Sequence, residues 1–307
     1  MEGTLQTVDG RAVLRFERRL AHPAEKVWRA ITDPAELANW FPAAIEGDRE
    51  PGAALRFVHP GGEGPTLEGE VTEFDPPRLF AFTWGESLLR LELRPDGNGC
   101  ILVFTQTFDE RPSAASYGVG WESCLDALAL TLEGTPVEQQ TPDRYAERHE
   151  AYVESFGLLE GTVQDAADGW TVRFERLLPH PVGNVWGVLG DGDVTVGADP
   201  PLQSTNGFVP AGPVTAVEAP KLLEYAWLSD GEQAGRVRWE LSDGPGGALV
   251  ELTQTVPAPL AHLRPTALAA WHTHLELLAK QLMGTTVCPW PEERTEELKR
   301  HYRALMG

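Results

Sequence analysis

His59 is the histidine of the N-terminal half whose position suggests chemistry, because it shares strand phase with Leu55 and Phe57 and so points where they point. An imidazole on an apolar wall is a general acid or base in waiting. Its neighbours Pro60-Gly61-Gly62 read equally well as a turn, which would make His59 a loop residue. His272 and His274 sit two apart in a helical stretch and diverge, unlike the i, i+4 pair that grips zinc. Cys100, Cys124 and Cys288 are odd in number and form no CxxC, which argues against both a disulfide framework and a structural zinc site. Cys124 lies beside an apolar helix face and reads as a small hydrophobe. There is no Gly-x-Ser-x-Gly, P-loop or GxGxxG stretch, so the sequence implies neither metal nor cofactor.

Four polar side chains share phase with apolar neighbours. Arg18 keeps step with Leu14, Phe16 and Leu20, and Gln106 with Leu102, Phe104 and Phe108; Arg176 and Gln254 repeat the arrangement further on. Inward guanidinium and amide groups need partners, expected in each other or in carboxylates such as Glu92 and Glu240. They are either anchors for a ligand's polar end or members of a structural network.

Aromatic residues supply the remaining inward surface. Alternation puts Phe80, Phe82 and Trp84 on one face, with Tyr225 and Trp227 in corresponding places later in the chain. Together with Trp40, Phe41, Phe57, Tyr117 and Trp121 they either wall an apolar pocket or fill a core. Trp28 and Trp121 are expected in the core.

The elements that carry these residues occur twice. Arg15-Phe16-Glu17-Arg18 through His22-Pro23 returns as Arg173-Phe174-Glu175-Arg176 through His180-Pro181, Val27-Trp28 as Val185-Trp186, and Thr105-Gln106-Thr107 as Thr253-Gln254-Thr255. The spacing of equivalent residues shrinks between Arg15/Arg173 and Val71/Val214 and widens again by Trp121/Trp271, so the second copy is shorter after its first helix. Domains over residues 1–157 and 158–307 are expected, with the acidic stretch from Glu160 to Gly169 between the patterned regions. Each copy reads as a strand, a short helix opened by Pro23 or Pro181, a run of antiparallel strands, and one long amphipathic helix. Asp33-Pro34-Ala35-Glu36 supplies an N-cap for a second short helix, whereas Gly190–Gly197 leaves that helix in doubt in copy two. A further helix follows each long one, carrying Tyr152 and Tyr302.

Composition bounds the rest. The 307 residues carry 46 acidic and 25 basic side chains, a net charge of −21, which repels nucleic acid and anionic membrane surfaces. No apolar run approaches the roughly 20 residues that span a bilayer, and the N-terminus has no signal pattern. A cytoplasmic location without a membrane or nucleic-acid partner is expected.

The motifs Glu17-Arg18, His22-Pro23 through Val27-Trp28, Thr32-Asp33-Pro34 through Leu37 with Trp40, Pro76-Pro77-Arg78-Leu79 with Trp84, and Gly120-Trp121 with Leu125 and Leu128 occur in a characteristic order. The chain resembles tandem AHSA-type domains (activator of heat-shock-protein ATPase homologue) of the SRPBCC, or START-like, superfamily. The resemblance implies an α+β fold of two helix-grip domains, each a curved antiparallel sheet wrapped on a long helix. It also implies a cavity between sheet and long helix of the kind that takes apolar small molecules; with the inward aromatic face and the shortened second copy, the leading expectation is binding of such a molecule in the first domain without catalysis, with the second domain structural or partner-facing. Two alternatives stand beside it: a co-chaperone-like regulator of a heat-shock ATPase, and a cyclase, dehydratase or hydrolase using the same cavity.

Overall fold

The computed structural model of the chain describes residues 3–59, 66–137, 141–190, 194–285 and 288–306. Two compact units divide it, Met1–Phe156 and Gly157–Gly307. The Pro60–Gly62 turn and Asp191–Asp193 of the doubtful helix lie outside the described residues.

In the N-terminal unit the order is β1 (Thr4–Val8), β2 (Arg11–Leu20), α1 (Ala24–Thr32), α2 (Pro34–Leu37), β3 (Ala44–Glu46), β4 (Ala54–Val58), β5 (Leu67–Asp75), β6 (Leu79–Trp84), β7 (Ser87–Asp96), β8 (Gly99–Phe108), α3 (Ala114–Glu133) and α4 (Pro142–Ser155). The strands form one antiparallel sheet, β1-β2-β8-β7-β6-β5-β4-β3. The alternation in β2 buries Ala12, Leu14, Phe16 and Leu20 against α3, whose own buried face includes Val119, Trp121, Leu125, Leu128 and Leu132. Asp33 caps α2 as its sequence promises, its carboxylate accepting from the Ala35 and Glu36 amides. Gly134 at φ 72° ends α3 in the left-handed conformation that glycine adopts without strain. Trp28 is half-buried rather than in the core, its ring 5.3 Å from Phe74.

The C-terminal unit repeats the plan with fewer parts: β9 (Thr162–Ala166), β10 (Gly169–Leu178), α5 (Val182–Leu189), β11 (Ala211–Glu218), β12 (Leu222–Ser229), β13 (Glu232–Gly244), β14 (Gly247–Pro257), α6 (Arg264–Leu282) and α7 (Glu292–Met306). Its sheet runs β11-β12-β13-β14-β10-β9. Nothing between α5 and β11 corresponds to β3 and β4 among the described residues, which is where the second copy is short. Both units are α+β helix-grip folds. The acidic stretch after Glu160 is not a plain linker, since it contains β9. That strand pairs only with β10 and is largely exposed, so no apolar alternation marks it.

In the C-terminal unit a turn of the chain at Leu202–Ser204 lies between the sheet and α6, with Ser204 buried and Leu202 exposed. The Ser204 carbonyl accepts from the Tyr225 hydroxyl of β12 (2.7 Å) and from Trp239 Nε1 of β13 (3.1 Å), while His274 Nε2 of α6 donates to the Gln203 carbonyl at 3.0 Å. Sheet and helix thus hold the turn from both sides. The His274 ring also packs edge-on against Trp239 and Trp271.

Two outcomes test this packing. Trp271 is fully buried and its Nε1 donates to Gln254 Oε1 at 2.8 Å, so Trp271→Phe, which strands a buried acceptor, should cost about 1–3 kcal/mol in urea unfolding. Burial drives the His274 pKa down to about 4, the Gln203 hydrogen bond only partly opposing it. An unfolded histidine titrates near pH 6.5, so between those values the unfolded state binds the extra proton and stability falls as pH falls. The loss from pH 7 to 4.5 should be about 2–3 kcal/mol from this residue. His274→Gln, which keeps an N–H donor, should flatten that part of the pH profile relative to the parent chain.

Candidate functional site

Space is left against the long helix in both units: in the C-terminal one a cavity of ≈ 410 Å³ lies beside the turn, lined by Leu202, Gln203, Asn206, His274, Leu278 and Trp290, and in the N-terminal one the space lies directly over the sheet. A cavity of ≈ 270 Å³ opens between the sheet and α3. From the helix it takes Ser116, Tyr117, Gly120, Trp121 and Cys124; from the sheet, Leu67 of β5, Trp84 of β6, Ser87 of β7 and Gln106 of β8; and Pro42 follows α2. On the helix, Ser116, Gly120 and Cys124 recur every four residues, so one stripe of small side chains faces the sheet and leaves room. A Cβ placed on Gly120 would meet no atom within 4 Å.

Trp84 and Ser87 are cross-strand partners at the end of β6 and β7, joined by Gly85-Glu86 with Gly85 at φ 55°. Partners across an antiparallel pair project to the same side, so both reach the cavity. Trp84 stacks on Phe57 (5.4 Å, 26°) and meets Trp121 edge-on (5.9 Å, 71°).

The polar groups form an ordered chain. Trp121 Nε1 donates to Gln106 Oε1 at 2.6 Å, and Gln106 Nε2 donates to Ser87 Oγ at 3.1 Å. An indole nitrogen can only donate, which fixes the amide orientation: oxygen towards Trp121, nitrogen towards Ser87. Ser87 Oγ therefore accepts. Trp84 Nε1 is buried and has no acceptor among the described residues.

The C-terminal unit explains why. There Trp227 Nε1 donates to the Thr255 carbonyl at 2.7 Å, passing over Gly235, its partner across β12 and β13. A Cβ at Gly235 would lie 2.6 Å from Trp227 Nε1. The N-terminal unit has Ser87 at that place, and its side chain bars the route to the neighbouring strand.

Charge is kept out of the cavity. Burial raises the pKa of the Tyr117 phenol and pushes the Cys124 thiol up to about 12, so both are neutral at physiological pH. Among the described residues, no carboxylate, histidine, lysine or arginine lines the cavity. All three cysteines are free thiols.

The remaining residues singled out in the sequence stand elsewhere. Phe57, Phe80 and Phe82 are fully buried behind the lining, and Trp40 and Phe41 are buried beside it, Trp40 Nε1 donating to the Ala30 carbonyl at 2.9 Å. These rings pack on one another: Phe41 has its centroid 5.5 Å from Trp84 and 5.6 Å from Trp121. The His59 ring lies 6.3 Å from Trp84 just past β4 and does not line the cavity. Arg18 reaches Asp126 of α3 at 3.5 Å, and Arg176, 2% exposed, donates to the Leu275 carbonyl of α6 at 2.6 Å. Glu92 and Glu240 partner neither pair. They alternate outward and meet Arg90 and Arg94, and Arg238, respectively; the hydrogen bonds from Arg94 and Arg90 hold Glu92 down at about 2. Ser87, Ser116 and Gly120 were not apparent as lining; the four-residue spacing of small side chains on α3 was the available signal.

No curated protein matches the chain. Among solved structures, CalU16 from Micromonospora echinospora is similar at 27% identity over 50% of this chain and 96% of its own, with a TM-score of 0.42. EF2215 from Enterococcus faecalis, a conserved protein of unknown function, is 18% identical over 50% of this chain and 90% of its own (TM-score 0.44). DynU16, described as a protein in the dynemicin biosynthetic locus, is 19% identical over 88% of this chain and 98% of its own (TM-score 0.40). Residues 21–133, which end at the last residue of α3, match the family described as Activator of Hsp90 ATPase homolog 1-like protein.

Proposed function

We propose that the N-terminal unit binds an uncharged, largely apolar small molecule in the cavity between its sheet and α3, and that the C-terminal unit is structural. The observation that carries this is the cavity itself, with a volume of ≈ 270 Å³ and walls supplied by Trp84, Tyr117 and Trp121. That volume is near the small end of ligand pockets, roughly 300–1,000 Å³, and its mix of aromatic wall and few polar groups is the usual composition of such sites. Binding without catalysis is favoured by the lining. Acid–base work needs a group that changes protonation near neutral pH within reach of the ligand, and the Tyr117 phenol and Cys124 thiol are both moved away from that range. The structural role of the C-terminal unit is supported by the Leu202–Ser204 turn, whose Ser204 carbonyl takes the Tyr225 and Trp239 donors of the sheet. The absence of any disulfide among the free thiols Cys100, Cys124 and Cys288 suits a reducing cytoplasm.

Filling the cavity from the helix side tests the reading. Gly120→Leu projects a side chain into open space, so fluorescence enhancement of the neutral probe 1-aminoanthracene should fall at least ~10-fold in affinity, a change of about 1.4 kcal/mol. The thermal midpoint should hold or rise, because a mid-helix glycine costs roughly 0.5–1 kcal/mol against alanine. Undiminished probe binding in a folded Gly120→Leu chain would remove the cavity as the binding site.

A further inference from the structure

The cavity of ≈ 410 Å³ in the C-terminal unit is a groove along α6, where His274, Leu277, Leu278 and Gln281 recur at i, i+3, i+4 and i+7 and so share one face. One wall is the turn from Leu202 to Gly207, and the other is Cys288 and Trp290, just ahead of α7. Among the described residues, none that lines it belongs to the sheet, because the turn stands between. The groove is a different place from the space over the N-terminal sheet.

Both walls are held in position by the protein itself. Asn206 Oδ1 accepts from the Phe208 and Val209 amides, each at 3.0 Å, and Thr205 Oγ1 donates to the Leu202 carbonyl at 2.9 Å, adding to the ties from Tyr225, Trp239 and His274. On the other side Trp290 Nε1 donates to Thr295 Oγ1 at 2.7 Å, and its ring stacks on His274 with centroids 6.3 Å apart. A groove formed in advance loses little ordering entropy when it is occupied.

The lining limits what chemistry fits. Leu277, Leu278 and Trp290 give the groove an apolar floor and side, and Leu202 keeps 82% of its surface in water on the rim. Gln203 on the turn and Gln281 on α6 carry side-chain amides that bond to no protein group among the described residues. Each amide offers a donor and an acceptor. A ligand amide returns both, a ketone or ether returns only the acceptor, and a hydrocarbon neither. No Asp, Glu, Lys or Arg lines the groove among the described residues, and burial keeps the His274 ring neutral. A carboxylate or ammonium would lose its hydration there without meeting an opposite charge.

We infer that this groove is a separate small-molecule site, for an uncharged compound with an amide group on an apolar body, the amide pairing with Gln203 or Gln281 and the body lying on Leu277, Leu278 and Trp290. The site goes beyond the structural part given to the C-terminal unit above, and it does not depend on the N-terminal cavity.

Benzanilide and trans-stilbene test it, since the two are close in shape and differ by the amide, while 4-benzamidobenzoate adds a carboxylate. Affinities are read by isothermal calorimetry on the Gly120→Leu chain, in which the added side chain occupies the N-terminal cavity. The position of the bound compound is read at Cys288, the exposed cysteine of the three and part of the groove wall, from its rate of alkylation by iodoacetamide in peptide mass spectrometry. Benzanilide should bind at least ~10-fold more tightly than either of the other compounds and should slow the alkylation of Cys288. In the double variant Gln203→Leu, Gln281→Leu, which keeps the bulk and removes both amides, the ratio of benzanilide to stilbene affinity should fall to about one. No binding of benzanilide, equal affinity for stilbene or the carboxylate, a preference that survives in the double variant, or unchanged Cys288 alkylation at saturation each overturns the inference. None of these results bears on the N-terminal cavity, which stands or falls with the 1-aminoanthracene titration.

Discussion

An indole N–H donated from the long helix to a glutamine on the sheet fixes how each unit is assembled. Tryptophan brings a large apolar surface and one obligatory donor, so burying it at a helix–sheet interface requires an acceptor at one place on the opposing strand. Gln106 and Gln254 are those acceptors, for Trp121 and Trp271. The pair sets the rotation and register of the helix over the sheet, because neither side chain can slide without leaving a buried polar atom unmet. Arg176 adds a second tie in the C-terminal unit through the Leu275 carbonyl, and Arg18 a half-exposed one to Asp126 in the N-terminal unit. These groups are structural first, and Gln106 reaches the cavity as the middle of its hydrogen-bond chain.

With the helix held in the same register, the size of the neighbouring side chains decides how the space beside it is shaped. Relative to the shared tryptophan, Ser116, Gly120 and Cys124 of α3 are replaced by Thr266, Ala270 and His274 of α6. Every replacement is larger. The imidazole is the largest step, and its hydrogen bond to Gln203 draws the Leu202–Ser204 turn against the helix while Tyr225 and Trp239 hold it from the sheet. The missing β3–β4 hairpin belongs to the same change, since the chain that would have built those strands is shortened into the turn.

Much of this architecture can be read from the sequence, and the limits are physical ones. The tandem repeat, the antiparallel run, the Asp33 cap, the Asp96–Gly99 hairpin and the Gly134 helix end all follow from local signals that the structure uses as written. β1 and β9 escape notice because edge strands with exposed residues carry no alternation. Strand phase correctly turns the aromatic residues inward, but phase cannot rank depth. Phe57, Phe80 and Phe82 face the same way as Trp84 and lie behind it, whereas the lining is set by where side chains are small. A void is a property of absent atoms, and only the spacing of Ser116, Gly120 and Cys124 hints at one. Glu92 and Glu240 illustrate the other limit: an inward polar group needs a partner, yet a backbone carbonyl or an indole satisfies it as well as a carboxylate, and composition alone cannot choose.

The direction of the pKa shifts completes the contrast between an acidic exterior and a neutral interior. In the N-terminal unit burial raises the phenol of Tyr117 and the thiol of Cys124; in the C-terminal unit it lowers the imidazole of His274. Opposite signs have one meaning, because desolvation always favours the uncharged form, acid or base. On β7 the charges lie on the outward face, where Arg90, Glu92 and Arg94 alternate with buried leucines, whereas Arg176 of β10 is buried against α6. Selection of a ligand by charge would require reversing that division at the cavity wall. Selection by shape requires only what the wall already has: aromatic surface, space above Gly120, and a tryptophan that also secures the fold.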